Sequence, residues 1–180
     1  MGTTRPVERV KLFVGMLASD ASMFDTARPL LEEKFGKIDS ESGLIDFSAF
    51  TDFYDREMGA GIKRKFLSFE RLVDPTFLAE AKLITNEMEK ALSGADGNRR
   101  INIDPGYIAL SKLVLASVKD RPHRLCIGKG IFAEITLHYR GGSFRPWEWS
   151  YADYSSPEYV SYLNGVRAAY HEQLSRGGAG

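Results

Sequence analysis

The chain is short of the residues that most readily announce a chemistry. Cys126 is its single cysteine, so no disulfide can form within it, and a reducing compartment suits it. Only three histidines occur, His123, His138 and His171, and they are scattered. No H-E-x-x-H, C-x-x-C or G-x-S-x-G motif is present, so zinc-protease, zinc-ribbon and serine-hydrolase chemistry have no support. Net charge is absent too: 24 Lys and Arg balance 24 Asp and Glu, and no overall field draws the chain to nucleic acid or an anionic membrane. Long apolar runs are missing. The run after Val10 is too short to span a bilayer, no signal-peptide core precedes it, and Pro6 stands where a myristoylation signal wants Ser or Thr. The expectation is a soluble cytoplasmic protein with no membrane partner, its "RGGAG" tail a frayed end.

What is present is ordinary in amount, with 43% hydrophobic and 27% charged residues over 180 positions. That suits one globular domain over residues 1–180. "VKLFVGML" is a continuous run of β-formers and reads as a strand buried on both faces. Met23, Ala27, Leu30, Leu31 and Phe35 then recur at helical spacing, with Ser22 or Asp20 as cap. Pro29 is expected either to kink that helix or to begin its well-formed part. Residues 37–59 show turn residues and alternating aromatics without a helical stripe, and predict one or two strands around a loop at Ser42-Gly43. "IKRKFLSFERLV" reads as a strand with no cleanly apolar face, either at an edge or running into a site.

The best helix follows, with Asp74 as cap, Pro75 in its first turn and Gly94 after its end. Its buried stripe is Phe77, Ala81, Ile84, Met88 and Leu92. Lys82, Asn86 and Glu89 form a second stripe, either solvated or part of a buried polar network. "RRINIDPGYIAL", "KLVLASVK" and "HRLCIGKGIFAEITLHYRGGSFRP" supply further strands and hairpins, with Cys126 a small buried hydrophobe among them. The terminal helix has Ser155 and Glu158 at capping-box spacing and an apolar stripe of Tyr159, Leu163, Val166 and Tyr170. The fold class expected is α+β: a ferredoxin-like βαββαβ core over about residues 10–110. C-terminal β-hairpins and a terminal helix over about 111–175 extend it.

"VKLFVGML", "FYDREMG", "KFLSFERLVDP", "KLITNEMEKAL", "RRINIDPGY", "LVLASVKDRPHR", "GKGIFAEITLHY" and "WEWSYADY" stand in this order. Together they resemble an uncharacterised prokaryotic family catalogued as domain of unknown function 4416. The resemblance covers nearly the whole chain and implies no established activity, although some members carry a GTP-binding label. The residues do not support a conventional GTPase. In "CIGKGIF", Lys129 lies between two glycines with no following Ser or Thr, which is a hairpin turn rather than a phosphate-cradling loop. No Asn-Lys-x-Asp motif for guanine occurs.

Strand alternation points to a site instead. Ile101 and Ile103 face one way, and Arg100, Asn102 and Asp104 the other. In "IFAEITLHY", Ile131, Ala133, Ile135, Leu137 and Tyr139 share a face opposite Glu134, Thr136 and His138. The polar faces are expected to form a floor, roofed by the aromatic segment from Trp147 to Tyr162. Lys119, Arg121, His123 and Arg124 gather positive charge after a buried strand, where Arg suits a phosphate or carboxylate and His titrates near neutrality. The expected ligand is an anionic small molecule such as a nucleotide or phosphate ester, with enzymatic activity left open. Its ligand-binding residues are Arg64, Lys82, Asn86, Arg100, Asn102, Tyr107, Ser117, Lys119 and Arg124. Asp104, His123 and Glu134 are the candidates for chemistry. His138, Glu134 and Asp104 make a conceivable but weak metal set, so no metal is assigned, and no cofactor is named. The alternative is a non-catalytic module binding RNA or a protein partner, with a homodimer allowed. Its basic footprint would be "IKRKF" and "RR", with Phe66 and Phe69 as interleaved aromatics, although nucleic acid is not favoured without a basic balance.

Overall fold

The run from Val10 to Ala18 (β1) is buried at all nine positions, as its unbroken apolar character requires. In the computed structural model, which describes residues 2–51 and 53–177, β1 lies inside one antiparallel sheet. Its neighbours are β4 (Lys63–Val73) and β5 (Asn102–Ala109). Beyond β4 come β2 (Ile38–Glu41) and the two-residue β3 (Ile45–Asp46). Beyond β5 come β6 (Lys112–Ser117) and β8 (Ile131–Arg140), which carries β7 (Leu125–Gly128) and β9 (Ser143–Pro146) along its far side. The architecture is therefore α+β, with four helices among the described residues and an antiparallel sheet.

Two helices cover one face. The helix α1 (Ser22–Phe35) buries Met23, Phe24, Ala27, Leu31 and Phe35 against Leu12, Val14, Met16 and Phe69. Asp20 is its side-chain cap, accepting the Ser22 N–H at 3.0 Å, and the helix runs through Pro29 without a break. Asp74 accepts the Thr76 N–H at 2.8 Å and starts a 3-10 turn that leads into α3 (Leu78–Ala91). The opposite face is covered by α4 (Pro157–Gly177), whose Tyr159, Leu163, Val166 and Tyr170 pack on Phe13, Phe66, Ile108 and Leu137. Its cap is Ser156, with the Tyr159 N–H 3.3 Å from the Ser156 hydroxyl, rather than Ser155. The "RGGAG" tail is helical as far as Gly177, and residues 178–180 lie outside the described residues.

Five expectations need correction. The strand β4 is not at an edge: β1 pairs along one side and β2 and β3 along the other. A one-turn helix, α2 (Asp55–Met58), occupies part of the segment read as strand and loop, and four residues are too few to show a helical period. Cys126 is exposed, as is all of β7, which pairs with β8 at the end of the sheet. A bulge in β8 breaks the expected alternation: Val114 pairs with Ile135 but Leu113 pairs with Leu137. Leu137 thereby joins Glu134's side of the sheet and packs under α4, while Ile135 is left exposed. The face opposite α1 and α3 is consequently a second apolar layer, polar only towards one end.

Candidate functional site

The polar end is where β5 and β6 part. Their pairing runs from Ala109–Lys112 to Gly106–Leu115 and then stops. Residues 102–105 continue beside β1 alone, and 116–117 beside β8 alone. The backbone of Ile103 is thus left without a strand partner on that side. Side chains of α3 take the strand's place: Glu89 accepts the Ile103 N–H at 2.6 Å, and Lys82 donates to the Ile103 carbonyl at 3.2 Å. The stripe formed by Lys82 and Glu89 is therefore a buried polar network, and a structural need explains it.

A cleft of about 910 Å³ opens at this splayed end. It is bounded by the aromatic segment at Phe47, Phe50, Phe53 and Tyr54, by α3, by the loop after β6, and by the 3-10 turn at Ala152–Ser155. Nine of the twelve residues selected from the sequence line it: Arg64, Lys82, Asn86, Asn102, Asp104, Ser117, Lys119, Arg124 and Glu134. The other three lie elsewhere. Arg100 is on the surface, 3.3 Å from Asp20. Tyr107 packs among apolar side chains beneath α3. His123 stacks on Trp149 with ring centres 5.8 Å apart, and its Nε2 lies 3.3 Å from the Glu134 oxygen that Arg124 also meets.

The lining residues divide into those already paired and those left over. Asp104 accepts from Lys82 at 2.8 Å and from the Asn102 amide at 2.6 Å, with 32% of its side chain still open. Burial opposes its ionisation, but Lys82 and Arg64 prevail and hold its carboxyl below the usual carboxylate range. Burial works to lower the pKa of Lys82, but Asp104 and Glu89 outweigh it and hold Lys82 as an ammonium with a raised pKa. Glu89 itself is pushed up, chiefly by burial. Arg99 forks onto Glu57 at 2.7 and 3.1 Å and donates to Asn102 at 2.7 Å. Arg124, read as an anion ligand, has four of its five N–H donors occupied: Glu134 at 2.7 Å, Ser117 at 2.9 Å, the Lys119 carbonyl at 2.8 Å and Tyr151 at 2.8 Å. Thr136 fills the other oxygen of Glu134 at 3.0 Å, so that carboxylate organises the wall rather than facing a ligand.

Arg64 is buried beneath the floor. Its guanidinium meets Asp153 at 3.0 Å and the Tyr159 hydroxyl at 3.1 Å, within 5.1–5.9 Å of the ring centres of Phe47, Phe66, Tyr154 and Tyr159. Among the described residues its Nη1 has no hydrogen-bond acceptor. Gly15 makes this possible: a Cβ there would stand 3.0 Å from that nitrogen and from the Phe66 ring. Sequence reasoning missed Asp153, Arg99 and Tyr54 as cleft residues. Arg99 was visible only as part of a basic pair, and Asp153 only as an acid in an aromatic run.

Phe66 and Phe69 are fully buried and Arg64 is buried with them, so these three members of the suggested RNA footprint are not at the surface, whereas Lys63 and Arg100 are open to solvent. No group of three or more His, Cys, Asp or Glu among the described residues could hold a metal ion. His138 instead lies against Trp147, with ring centres 4.3 Å apart. Among the described residues, no helix is long and apolar enough to cross a membrane.

A family model described as domain of unknown function (DUF4416) matches residues 8–170, and the chain belongs to that family. No curated protein and no solved structure matches it.

Proposed function

We propose that this DUF4416 chain binds an anionic small molecule, a nucleotide or phosphate ester, in the cleft at the splayed ends of β5 and β6. The observation that carries the reading is what remains after the cleft's charges are paired. Arg64, Lys82, Arg99 and Arg124 are held by acids of the protein. Lys119 and Arg121 line the same cleft with no carboxylate within ion-pair distance among the described residues. Cations without an acid at the mouth of a cleft this size suit an anion brought from outside. The arrangement favours binding over chemistry. A carboxyl held below its ordinary pKa, as Asp104 is, accepts hydrogen bonds well but is a weak general base near neutral pH.

The test is a thermal-shift screen of nucleotides and phosphate esters with the wild type and a Lys119→Ala/Arg121→Ala variant. A ligand that binds the native state raises the melting temperature, by about 2.7 kcal/mol of stabilisation at a hundred times its Kd. The expected result is a shift lost in the double variant. A shift that survives in it would place the anion elsewhere.

Two finer readings belong with this one. Strand order β5-β1-β4-β2, all antiparallel, with α1 and α3 on one face, supports a ferredoxin-like core. The exposed thiol of Cys126 supports a reducing, cytoplasmic setting. An interaction module is the second reading, and one observation favours it. Leu125, Ile127, Ile135, Trp147 and Tyr151 are exposed along the β7–β8 side of the sheet, where a strand edge is open. A dimer in light scattering, dissociated by Leu125→Lys, is its expected signature. A monomer at high concentration would remove it.

A further inference from the structure

The cleft is polarised along its length, and this bears on which end of a ligand enters first. Its inner end holds the partly open carboxylate of Asp104. An anionic group cannot sit there without facing that charge at close range. A second cation is no better suited, because Lys82 at 2.8 Å already neutralises Asp104 and Arg64 lies beneath. What Asp104 still offers is lone pairs, and an uncharged N–H donor is the group that matches them. The wall beside it is aromatic: Phe50 and Tyr54 are half-buried and line the cleft. Flat faces of this kind hold a ring by stacking. Asn86, on the α3 side, lines the cleft with an amide that can both donate and accept. The mouth is different in character, with Lys119 above the Phe53 ring at 5.4 Å and Arg121 nearby in the same loop.

We infer that the ligand is a nucleoside phosphate held ring-inward: an uncharged heterocycle donates an N–H to Asp104 between aromatic walls, and its phosphate lies outward on Lys119 and Arg121. This rests on the anion-binding reading of the cleft and narrows it. A sugar phosphate without a ring satisfies the mouth but leaves Asp104 and the aromatic wall unmatched.

The experiment is isothermal titration of the intact chain with AMP, GMP, CMP and UMP, the four parent nucleosides, and ribose 5-phosphate. At least one nucleotide is expected to bind, its nucleoside about tenfold or more weakly, and ribose 5-phosphate not at all. Asp104→Asn should weaken nucleotide and nucleoside alike, by about 10- to 100-fold, the range of a hydrogen bond to a charged group. Lys119→Ala/Arg121→Ala should weaken the nucleotide and leave the nucleoside unchanged. Because Asp104→Asn also disturbs Lys82, Tyr54→Ala serves as a second variant on the ring side, and both are compared with the wild type by circular dichroism. Ribose 5-phosphate binding as tightly as a nucleotide would overturn the ring-inward inference and leave the anion reading standing. Nucleosides binding as tightly as nucleotides would remove the anion reading instead. No binding by any member of the panel would overturn the inference, even if another phosphate ester shifts the melting temperature.

Discussion

Asp153→Asn is the sharpest perturbation available in the cleft. The substitution keeps the shape of the side chain and an oxygen that can accept, but removes the charge facing Arg64. Both side chains are almost wholly buried, at 5% and 6% exposure. At 3.0 Å, and with an effective dielectric of about 20, the lost attraction is about 5 kcal/mol. Part of it is offset, because the Tyr159 hydroxyl still accepts from Arg64 and four aromatic rings surround the guanidinium. A net destabilisation of about 3–5 kcal/mol is expected, the usual result of leaving one partner of a buried pair alone. At about 2–4 °C per kcal/mol for a chain of this size, the melting temperature should fall by about 6–20 °C. Urea unfolding with an unchanged m-value is the better assay, since it separates lost stability from a changed denatured state. The companion variant Arg64→Met/Asp153→Leu removes both charges and leaves apolar side chains in an aromatic box. It should be more stable than Asp153→Asn by about 2 kcal/mol or more. Two results would refute the reasoning: a loss below about 1 kcal/mol in Asp153→Asn, or a double variant no more stable than the single one.

Four further outcomes follow from other parts of the molecule. Gly106→Ala should cost about 1–3 kcal/mol or more in urea unfolding, because its Cβ would stand 2.6 Å from the Val114 carbonyl oxygen and 2.7 Å from the Phe13 ring. Gly43→Ala, with nothing within 4 Å, is the control that should be near neutral. Pro29→Ala should raise stability by about 1–3 kcal/mol, since Pro29 is exposed inside α1 and denies it a backbone hydrogen bond. An unchanged melting temperature would mean that the helix had already adapted to the ring. Asp104 has a depressed folded pKa, so its contribution is present above the unfolded value of about 3.9 and is lost as pH falls through the lower folded one. The acid limb of stability below about pH 4 should therefore be shallower in Asp104→Asn, and identical limbs would count against the Lys82 pairing. Cys126 should react with a thiol reagent in the native protein about as fast as in urea, whereas a buried thiol would be protected.

The secondary structure that local chemistry dictates was legible in the sequence. The unbroken run of β1, the Asp74 cap and the stripe of α4 each depend on residues within a few positions of one another. The features that escaped depend on distant ones. Nothing in "AEITLHY" marks the extra residue that turns Leu137 to the α4 side, because the bulge exists only in register with β6. Lys82 and Glu89 have the spacing of a solvated stripe, and what buries them is the parting of two strands that begin at least 13 residues further on.

The same limit explains why a cleft rich in charge looked, from the sequence, like an anion site made of many cations. Three of its cations answer acids far along the chain: Lys82 with Asp104, Arg99 with Glu57, Arg64 with Asp153. Separations of 22, 42 and 89 residues leave no local pattern, so each cation reads as free until the fold pairs it. Charge density in the sequence therefore overstates the site, and Arg124 is the clearest case, since each guanidinium nitrogen already has an acceptor. What informs about a ligand is the remainder after pairing. Here that remainder is small and directional, a carboxylate with spare lone pairs inside and two cations at the mouth, and it constrains the ligand more tightly than the full set of charges would.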